Sequence, residues 1–162
     1  MISKLQKLEK TINSELSTKV QNSSIQNDEL LIEVKENDIL DVIQFIKSNE
    51  NLKFKQLIDI AGVDYPENKK RFELVYLLLS HENNLRIKVL IRFQIDQSIC
   101  SLTKIFPSAN WMEREVFDMY GIKFKNHTDL RRILTDYRFK SHPLRKDFPL
   151  TGVNEVRYNK KD

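Results

Sequence analysis

The segment from Lys123 to Leu150 restricts the fold of this chain more than any other part of its sequence. It is basic, rich in aromatic residues and interrupted by Pro143 and Pro149, each of which disfavours helix at the preceding residue. It also contains apolar residues that favour burial, namely Leu130, Ile133, Leu134, Leu144 and Leu150. An irregular segment with this apolar content is not stable alone in water. It is therefore predicted to lie along its own domain or along another chain.

A charged amphipathic helix is predicted immediately before that segment, from Trp111 to Tyr120. Ser108 or Asn110 is suited to cap its N-terminus, because a short polar side chain can accept a hydrogen bond from the first backbone N–H groups of a helix. Gly121 is suited to the left-handed conformation in which many helices end.

The sequence before this helix predicts a small α+β domain. Residues 71–80 and 84–93 are rich in Val, Leu, Ile and Phe and enclose a polar turn, so they predict a β-hairpin. Residues 21–27 are predicted to be a polar break. Further strands are predicted at 30–34 and near 57–63, and helices at 3–19, behind a cap at Asn37 or Asp38, and at 97–106.

The order of these elements predicts a two-layer α+β sandwich, in which helices cover one face of a mostly antiparallel sheet. An extended irregular C-terminal arm is predicted to follow it. We assign the α+β domain to residues 1–122, of which residues 1–28 are predicted to be a peripheral N-terminal helix and linker. Residues 123–162 are predicted to form an extended docking arm.

Cysteine content and hydropathy exclude several kinds of site. Cys100 is the only cysteine, so the chain can form neither an internal disulfide framework nor a cysteine-based zinc or iron–sulfur site. No apolar run in the sequence approaches the ~20 residues that span a bilayer. We therefore expect membrane association only through partner chains. The sequence has no glycine-rich dinucleotide-binding or phosphate-binding motif.

Basic residues concentrate between Lys123 and Lys146, where Phe124, Tyr137 and Phe139 are interleaved with them. Basic and aromatic residues together are typical of RNA-binding surfaces, in which phosphates pair with cations and bases stack on rings. The same residue types carry most of the binding energy at protein interfaces. Because acidic and aliphatic residues interrupt the run, its pattern favours protein contact. A small RNA-binding or ribosome-associated protein is the alternative.

Carboxylates of the predicted helix suggest a further hypothesis. Glu115 and Asp118 share a helix face, and with His127 they could form the metal site of a hydrolase or an acid–base pair. In the competing hypothesis, the helix carboxylates form salt bridges with Arg131, Arg132 or a neighbouring subunit. The histidines lack the spacing that is typical of ligands on a helix. The salt bridges are therefore favoured, and we predict no metal ligand.

Several blocks of the sequence, in order, resemble the family of the thirty-kilodalton subunit of respiratory complex I. This family is known as NADH dehydrogenase subunit 9 in mitochondria and as the C subunit in bacteria. The blocks are WMEREVFDMYGI from residue 111, HTDLRRILTDY from residue 127, HPLRKDFPLTG from residue 142 and EVRY from residue 155. Upstream, AGVDYP from residue 61, RFELVYLL from residue 71 and FPSA from residue 106 also match.

The resemblance implies a core structural subunit in the peripheral arm of the proton-translocating NADH:ubiquinone reductase. It implies that this chain carries no catalytic residue and no redox centre, and that FMN and iron–sulfur clusters belong to partner subunits. The expected partner is the forty-nine-kilodalton subunit of the quinone module, and no nucleic acid is expected. The residues expected to dock, and not to react, are Glu113, Arg114, Glu115, Arg131, Arg132, His142, Arg145, Lys146 and Asp147.

The resemblance also implies a location on the matrix side of the mitochondrial inner membrane. The cytoplasmic face of a bacterial plasma membrane is the alternative. The sequence departs from the family pattern at Asn126 and Ser141, where the family usually has glycine. Asparagine tolerates a positive φ better than most residues do. The departure at Asn126 is therefore expected to preserve the local backbone, and that at Ser141 less so.

Overall fold

This computed structural model describes residues 2–152, which contain three helices and seven strands. In chain order they are α1 (Ile2–Glu15), β1 (Val20–Gln26), β2 (Glu29–Val34), α2 (Ile39–Ser48), β3 (Gln56–Asp64), β4 (Phe72–Ser80), β5 (Leu85–Phe93), β6 (Ser98–Cys100), α3 (Ala109–Tyr120) and β7 (Lys123–Lys125). None of these helices combines the length and the apolar character needed to cross a membrane. The EVRY block from residue 155 lies outside the described residues.

Five of the strands form one sheet in the order β1-β2-β5-β4-β3. The central β4–β5 hairpin pairs Phe72 with Phe93 at one end and Ser80 with Leu85 at the other, which confirms the predicted hairpin. The pairs β1–β2 and β3–β4 are also antiparallel, so the predicted mostly antiparallel sheet is confirmed. Strand β2 runs parallel to β5, because a crossover through α2, β3 and β4 separates the two along the chain.

One face of this sheet forms the core together with the helices. Strand alternation places Ile32, Val89 and Tyr76 side by side on that face, and each of the three is fully buried. Buried residues of α1, α2 and α3 belong to the same apolar cluster. Burial of apolar surface, at roughly 25 cal/mol per Å², is the main force that joins the two layers. The predicted two-layer α+β sandwich is therefore confirmed.

The polar break predicted at residues 21–27 is wrong, because most of this stretch belongs to β1. Strand β1 lies at the edge of the sheet and has a single neighbour, β2. Its half-buried Ile25 pairs with Leu30, while Gln21 and Asn22 are exposed. An edge strand with one neighbour often carries polar residues, since they discourage pairing with other chains. Apolar alternation alone therefore does not reveal such a strand.

The helix predicted at residues 97–106 is also wrong. This stretch contains β6, which pairs Ile99 with Phe124 in a parallel two-stranded sheet, and then turns. Ile99, Leu102 and Phe106 are buried, as the helical spacing predicted. The Leu102 N–H, however, donates to the Glu113 carboxylate at 2.6 Å and not to a carbonyl of its own segment. Ile99, Leu102 and Phe106 therefore reach the core from a strand and the turns after it. Their spacing along the chain resembles that of one face of a helix.

One further expectation, about the helix caps, needs correction. Asp38 and Ser108 occupy the N-cap positions of α2 and α3, but neither side chain makes a capping hydrogen bond. Leu5 and Ile12 of α1 are fully buried, as expected for the apolar face of the predicted N-terminal helix. The bounds given to the domain and the docking arm stay a prediction.

The chain after β7 contains turns but no helix or strand as far as residue 152. We refer to residues 126–152 as the arm. This arrangement agrees with the extended irregular segment predicted from the sequence. Asn126 begins the arm with a φ of 64°, as its tolerance of the left-handed region led us to expect.

Gly121 ends α3 at a point where the arm packs closely against the helix. Its φ is 75°, and its N–H donates to Phe117 O at 2.8 Å, which confirms the predicted helix end. A Cβ atom at this position would overlap the Arg145 side chain and would lie 2.5 Å from His142 Nε2. Glycine is therefore required here both by the backbone conformation and by the position of the arm.

We expect Gly121→Ala to destabilise the domain and to loosen the arm. The left-handed backbone costs a residue other than glycine about 1–2 kcal/mol, and the new methyl group would displace His142 and Arg145. Gly152→Ala is the matched control, because Gly152 has a φ of 76° but no atom of the described residues lies within 4 Å of an added Cβ. Denaturant unfolding should show the greater loss of unfolding free energy for Gly121→Ala. Equal losses would show that the contact with the arm contributes nothing.

Candidate functional site

Asp118, a fully buried carboxylate near the end of α3, anchors the arm to the domain. Its Oδ2 accepts hydrogen bonds from the consecutive N–H groups of Ile133, Leu134 and Thr135, at 3.0, 2.7 and 2.8 Å. Its Oδ1 accepts from the Thr135 hydroxyl at 2.5 Å and from Arg132 Nη1 at 2.6 Å. Consecutive N–H groups that converge on one oxygen fix the conformation of the backbone that carries them. Asp118 thus determines the shape of the first half of the arm.

The arm also keeps this buried carboxylate ionised. Burial alone would raise the pKa of Asp118, but the hydrogen bonds from Thr135, Leu134 and Ile133 hold that pKa well below its usual range. The Arg132 guanidinium supplies the opposite charge, and its Nη2 donates to Ser141 O at 3.0 Å. A single ion pair therefore ties two separate turns of the arm to the same helix.

A second anchor joins the later part of the arm to strand β3. Asp64, buried at the end of β3, accepts hydrogen bonds from Arg71 at 2.6 and 2.8 Å and from the Lys146 N–H at 2.8 Å. Arg71 pairs in addition with Asp147 at 2.8 Å. The hydrogen bond from Arg71 holds the pKa of Asp64 below its ordinary value, against the opposing effect of burial. The arm is thus fixed at two separate carboxylates.

Polar side chains of the arm complete the C-terminal end of α3. His142 Nδ1–H donates to Asp118 O at 2.9 Å, and Arg145 Nε–H donates to Tyr120 O at 2.5 Å. The last carbonyls of a helix lack partners within the helix, so these donors replace water there. Burial lowers the pKa of His142 below its ordinary value. The histidine is therefore neutral at pH 7 and makes this bond without adding a charge.

Most of the nine residues predicted to dock have partners within this chain. Arg132, His142 and Arg145 bind to α3, and Lys146 and Asp147 belong to the anchor at β3. Holding the arm in place does not preclude contact with another subunit. Their role in docking stays a prediction.

The remaining predicted docking residues lie in three different environments. Arg114 donates from Nε and Nη2 to the carbonyls of Arg131 and Arg132, at 3.1 and 3.0 Å. Glu115 and Arg131 are exposed, whereas Glu113 is fully buried. The predicted salt bridges therefore form in part, since Arg132 pairs with a helix carboxylate and Glu113 does not pair with either arginine.

The structure does not assemble the metal site considered for Glu115, Asp118 and His127. The oxygens of Asp118 are occupied by donors of the arm, and Glu115 is exposed. Among residues 2–152, no three His, Cys, Asp or Glu side chains are grouped in a way that could hold a metal ion. The hydrolase hypothesis thus gains no support.

Glu113 is an ionisable group enclosed in the core. Its Oε1 accepts from the Leu102 N–H, whereas its Oε2 has no hydrogen-bond partner among the described atoms and lies 3.9 Å from His127 Nε2. Both ring nitrogens of His127 are already used: Nδ1 accepts from the Asp129 N–H and Nε2–H donates to Asn110 O, each at 3.0 Å. Neither ring nitrogen is therefore left over to bond to Glu113. Burial raises the pKa of Glu113 to about 7, and hydrogen bonds from Ser101 and the Leu102 N–H oppose this effect only in part.

The sequence contained a signal for Glu113 but little for Asp118. Ala109, Glu113 and Val116 follow the spacing of one helix face, and all three are buried. That spacing marks Glu113 as a core residue, although its charge suggested the surface. Most of the donors to Asp118 are backbone N–H groups, which every sequence possesses. Their convergence on one oxygen depends on how the arm turns.

Exposed apolar side chains are concentrated at the start of α3 and along the arm. The exposed fractions are 70% for Trp111, 62% for Leu134, 79% for Tyr137 and 50% for Leu144, and Leu150 is fully exposed. Arg132, His142 and Arg145 turn inward to α3, whereas these apolar groups point to solvent. Exposed apolar groups that cluster among polar ones are typical of surfaces that bind other proteins.

Comparison with known proteins identifies the family. Residues 32–154 match the family described as "Respiratory-chain NADH dehydrogenase, 30 Kd subunit". The chain belongs to this family. The matched range runs from β2 into the arm and includes both Asp64 and Asp118. Membership of the 30 Kd subunit family confirms the resemblance seen in the sequence blocks.

Individual relatives agree with this assignment. The chain is 51% identical over 148 residues to the C subunit of NADH-quinone oxidoreductase from Chelativorans sp. (strain BNC1), which covers 91% of this chain and 74% of the relative. A chain in the structure of the membrane-bound sulfane sulfur reductase, an archaeal respiratory membrane complex, superposes with a TM-score of 0.78 at 26% identity, over 91% of this chain and 86% of that one. A trypsin-resistant fragment of Nqo5, at 24% identity, shares the fold with a TM-score of 0.67, over 78% of this chain and 99% of the fragment.

The RNA-binding alternative for the basic run gains no support from the family or from the structure. Arg132 and Arg145 donate to groups of α3, and Arg131 Nε donates to Asp129 at 3.0 Å. Part of the positive charge that suggested phosphate binding is therefore directed into the chain itself.

We expect Asp118→Asn to release the arm and to leave the sheet folded. The amide has a similar size, but it removes the charge that pairs with Arg132 and turns an NH₂ group toward donors. Removal of one partner of a buried ion pair costs about 3–5 kcal/mol. Limited proteolysis should cut the arm faster than in the wild type, with hydrogen exchange in β4 and β5 unchanged.

Asp129→Asn is the matched control for this experiment, because Asp129 pairs with Arg131 at the surface. An exposed pair of this kind contributes at most about 1 kcal/mol. If the arm of Asp118→Asn were as well protected as that of Asp129→Asn, Asp118 would not be the anchor.

We expect Glu113 to lower the stability of the chain as the pH rises from about 5 to about 8, whereas His142, whose pKa is lowered on folding, acts in the opposite direction. The pKa of Glu113 is raised from 4.5 to about 7 on folding, so the folded state binds more protons than the unfolded state in this range. Each rise in pH then favours unfolding. At about 1.4 kcal/mol per pKa unit, the loss due to Glu113 is about 3 kcal/mol.

Glu113→Gln removes this titration with little change in size. Denaturant unfolding at several pH values should give a flatter dependence of unfolding free energy for the variant than for the wild type. The difference between the two proteins removes the contributions of the other titrating groups. Parallel curves would show that Glu113 is already ionised in the folded protein at pH 5.

Proposed function

We propose that this chain is a structural subunit of an NADH-quinone oxidoreductase and that it docks through its arm and α3. The proposed neighbours are subunits of the quinone module in the peripheral part of the enzyme, above all the forty-nine-kilodalton subunit. The observation that carries the proposal is the concentration of exposed apolar side chains on the arm of a member of the 30 Kd subunit family. In water such a surface is unfavourable, and contact with another subunit would remove it from water.

The proposed role is to hold neighbouring subunits in position and not to transfer electrons. FMN and the iron–sulfur clusters would belong to the partner subunits, and this chain would contribute no catalytic residue. Two observations support this division. The side chains with the most strongly shifted carboxyl pKa values, Glu113 and Asp118, are enclosed and have no exposed surface. The partners of Asp118 are groups of the arm, so its chemistry is used in holding the fold.

The cytoplasmic face of a bacterial plasma membrane is the location that we propose for the assembled enzyme. The bacterial source of the relative from Chelativorans supports it. The matrix side of the mitochondrial inner membrane, which the resemblance also implied, stays a prediction. At either site, membrane association would come through the partner subunits.

Fractionation of mildly solubilised membranes on a native gel tests the proposal directly. This chain should migrate with NADH dehydrogenase activity in a complex far larger than 19.3 kDa. Migration as a free small protein, or together with ribosomes, would overturn the proposed function.

We expect Leu144→Ser to lower the amount of assembled enzyme but not the turnover of the enzyme that does assemble. Loss of a large apolar side chain from a buried contact costs about 1.5–3 kcal/mol, which corresponds to about a tenfold or greater weakening of association. Native gels would measure the assembled amount, and NADH oxidation per assembled complex would measure turnover.

Ile95→Ser is the matched control for the change at Leu144. Ile95 is 48% exposed, close to the 50% of Leu144, but it lies outside the arm. Equal assembly of the two variants would argue against the arm as the docking surface. Normal assembly of Leu144→Ser with lost turnover would contradict a purely structural role.

A further inference from the structure

A groove of about 400 Å³ lies between α3 and the arm. It is lined by Arg114 and Phe117 of α3 and by Leu130, Arg131, Arg132 and Tyr137 of the arm. We call it the arginine groove. A volume of this size holds a few side chains of a bound segment.

The arginine groove is built before any partner arrives. Arg114 bonds to the carbonyls of Arg131 and Arg132, so one side of the groove holds the backbone of the other side. Arg132 is in turn fixed by Asp118. A site whose walls are already ordered loses little conformational entropy on binding. The groove is therefore suited to recognise a defined partner segment.

The charge at the mouth of the groove is positive. The Arg131 side chain is 74% exposed, and its Nε donates to Asp129. Within residues 2–152 its two terminal nitrogens make no hydrogen bond, so they are available to a ligand. The Arg138 guanidinium lies 5.3 Å from the centre of the Tyr137 ring and adds a second cation at the rim. Asp129 offsets part of the charge of Arg131, whereas Asp118 does not, because the arm encloses it.

Apolar and aromatic surface accompanies these cations. Leu130 and Phe117 line the groove, and Tyr137 presents most of its ring to solvent. Tyrosine and arginine are the residues that most often dominate binding at protein interfaces. The guanidinium group of arginine can also bind a carboxylate through two parallel hydrogen bonds. The groove thus offers one contact for an anion and another for an apolar side chain.

We propose that the arginine groove binds an acidic and partly apolar segment of a neighbouring subunit. A carboxylate of that segment pairs with Arg131, and an apolar side chain beside it packs against Tyr137 and Leu130. The inference rests on the proposed function and adds the chemistry of the partner to it. An RNA strand fits the groove less well, because Arg132 is turned inward to Asp118 and leucine and phenylalanine occupy much of the lining.

Photo-crosslinking in the assembled enzyme tests this assignment. Tyr137 is replaced by p-benzoylphenylalanine in the full chain, and the enzyme is isolated from membranes, irradiated and analysed by mass spectrometry. The expected product joins position 137 to a peptide of another subunit that has an Asp or Glu within a few residues of the attachment point. A crosslink to RNA, to lipid or to a segment without carboxylates would overturn the proposal. So would the absence of any crosslink in assembled enzyme.

Charge reversal then tests the ion pair itself. Arg131→Glu is expected to reduce assembled enzyme at least about tenfold, because it places two carboxylates together. Exchange of the partner's carboxylate for arginine should restore assembly. Arg86→Glu is the matched control, since Arg86 is an exposed arginine on β5 outside the groove. Equal effects of the two reversals, or no recovery in the double variant, would overturn the proposal.

The outcomes separate this inference from the proposed function. If the chain does not migrate with NADH dehydrogenase activity, the proposed function itself fails. If it does migrate with that activity but position 137 contacts no acidic segment, only the assignment of the arginine groove fails.

Discussion

One buried carboxylate, Asp118, gives the first half of the arm its structure. The arm has no helix or strand with which to satisfy its own backbone, and ordering a residue costs about 1–2 kcal/mol in backbone entropy. Asp118 offsets part of that cost, because it accepts three successive N–H groups and pairs with Arg132. A buried charge is unfavourable unless its hydrogen bonds are complete. Helix and arm therefore depend on each other: the arm completes Asp118, and Asp118 orders the arm.

This mutual dependence decides which side chains face outward. Arg132 and the Lys146 N–H are drawn to Asp118 and Asp64, whereas several large apolar side chains of the arm are left at the surface. The usual arrangement of a small folded domain is thus reversed at these positions. The reversal suits a protein whose final environment is an assembly, because the outward groups can be buried by a neighbour without disturbing the anchors. For the same reason, only part of the positive charge between Lys123 and Lys146 lies at the surface, because Arg132 and Arg145 bond to groups of α3.

The success of sequence reasoning varied with the kind of interaction involved. The β4–β5 hairpin was predictable because apolar alternation and a polar turn report directly on strands that are buried on one face. Strand β1 was not, since an edge strand needs few apolar residues, and neither was β6, whose Ile99 imitates helical spacing. In the site, Arg132 was matched with a helix carboxylate, but the N–H donors to Asp118 carry no sequence signature. Backbone contacts outside regular helices and strands are not predictable from residue patterns.

The parallel pairing of β2 with β5 has a consequence for how the chain is made. Leu30 of β2 pairs with Ile87 of β5, so the two parts of the sheet can join only after β5 has been synthesised. The arm is synthesised later still. Contacts between residues so far apart in sequence form slowly, because a long loop has to be closed before they yield any energy. During synthesis the edge of β2 that pairs with β5 therefore stays without its partner until β5 has left the ribosome. A chaperone, or early meeting with a partner subunit, would protect the nascent chain during that interval.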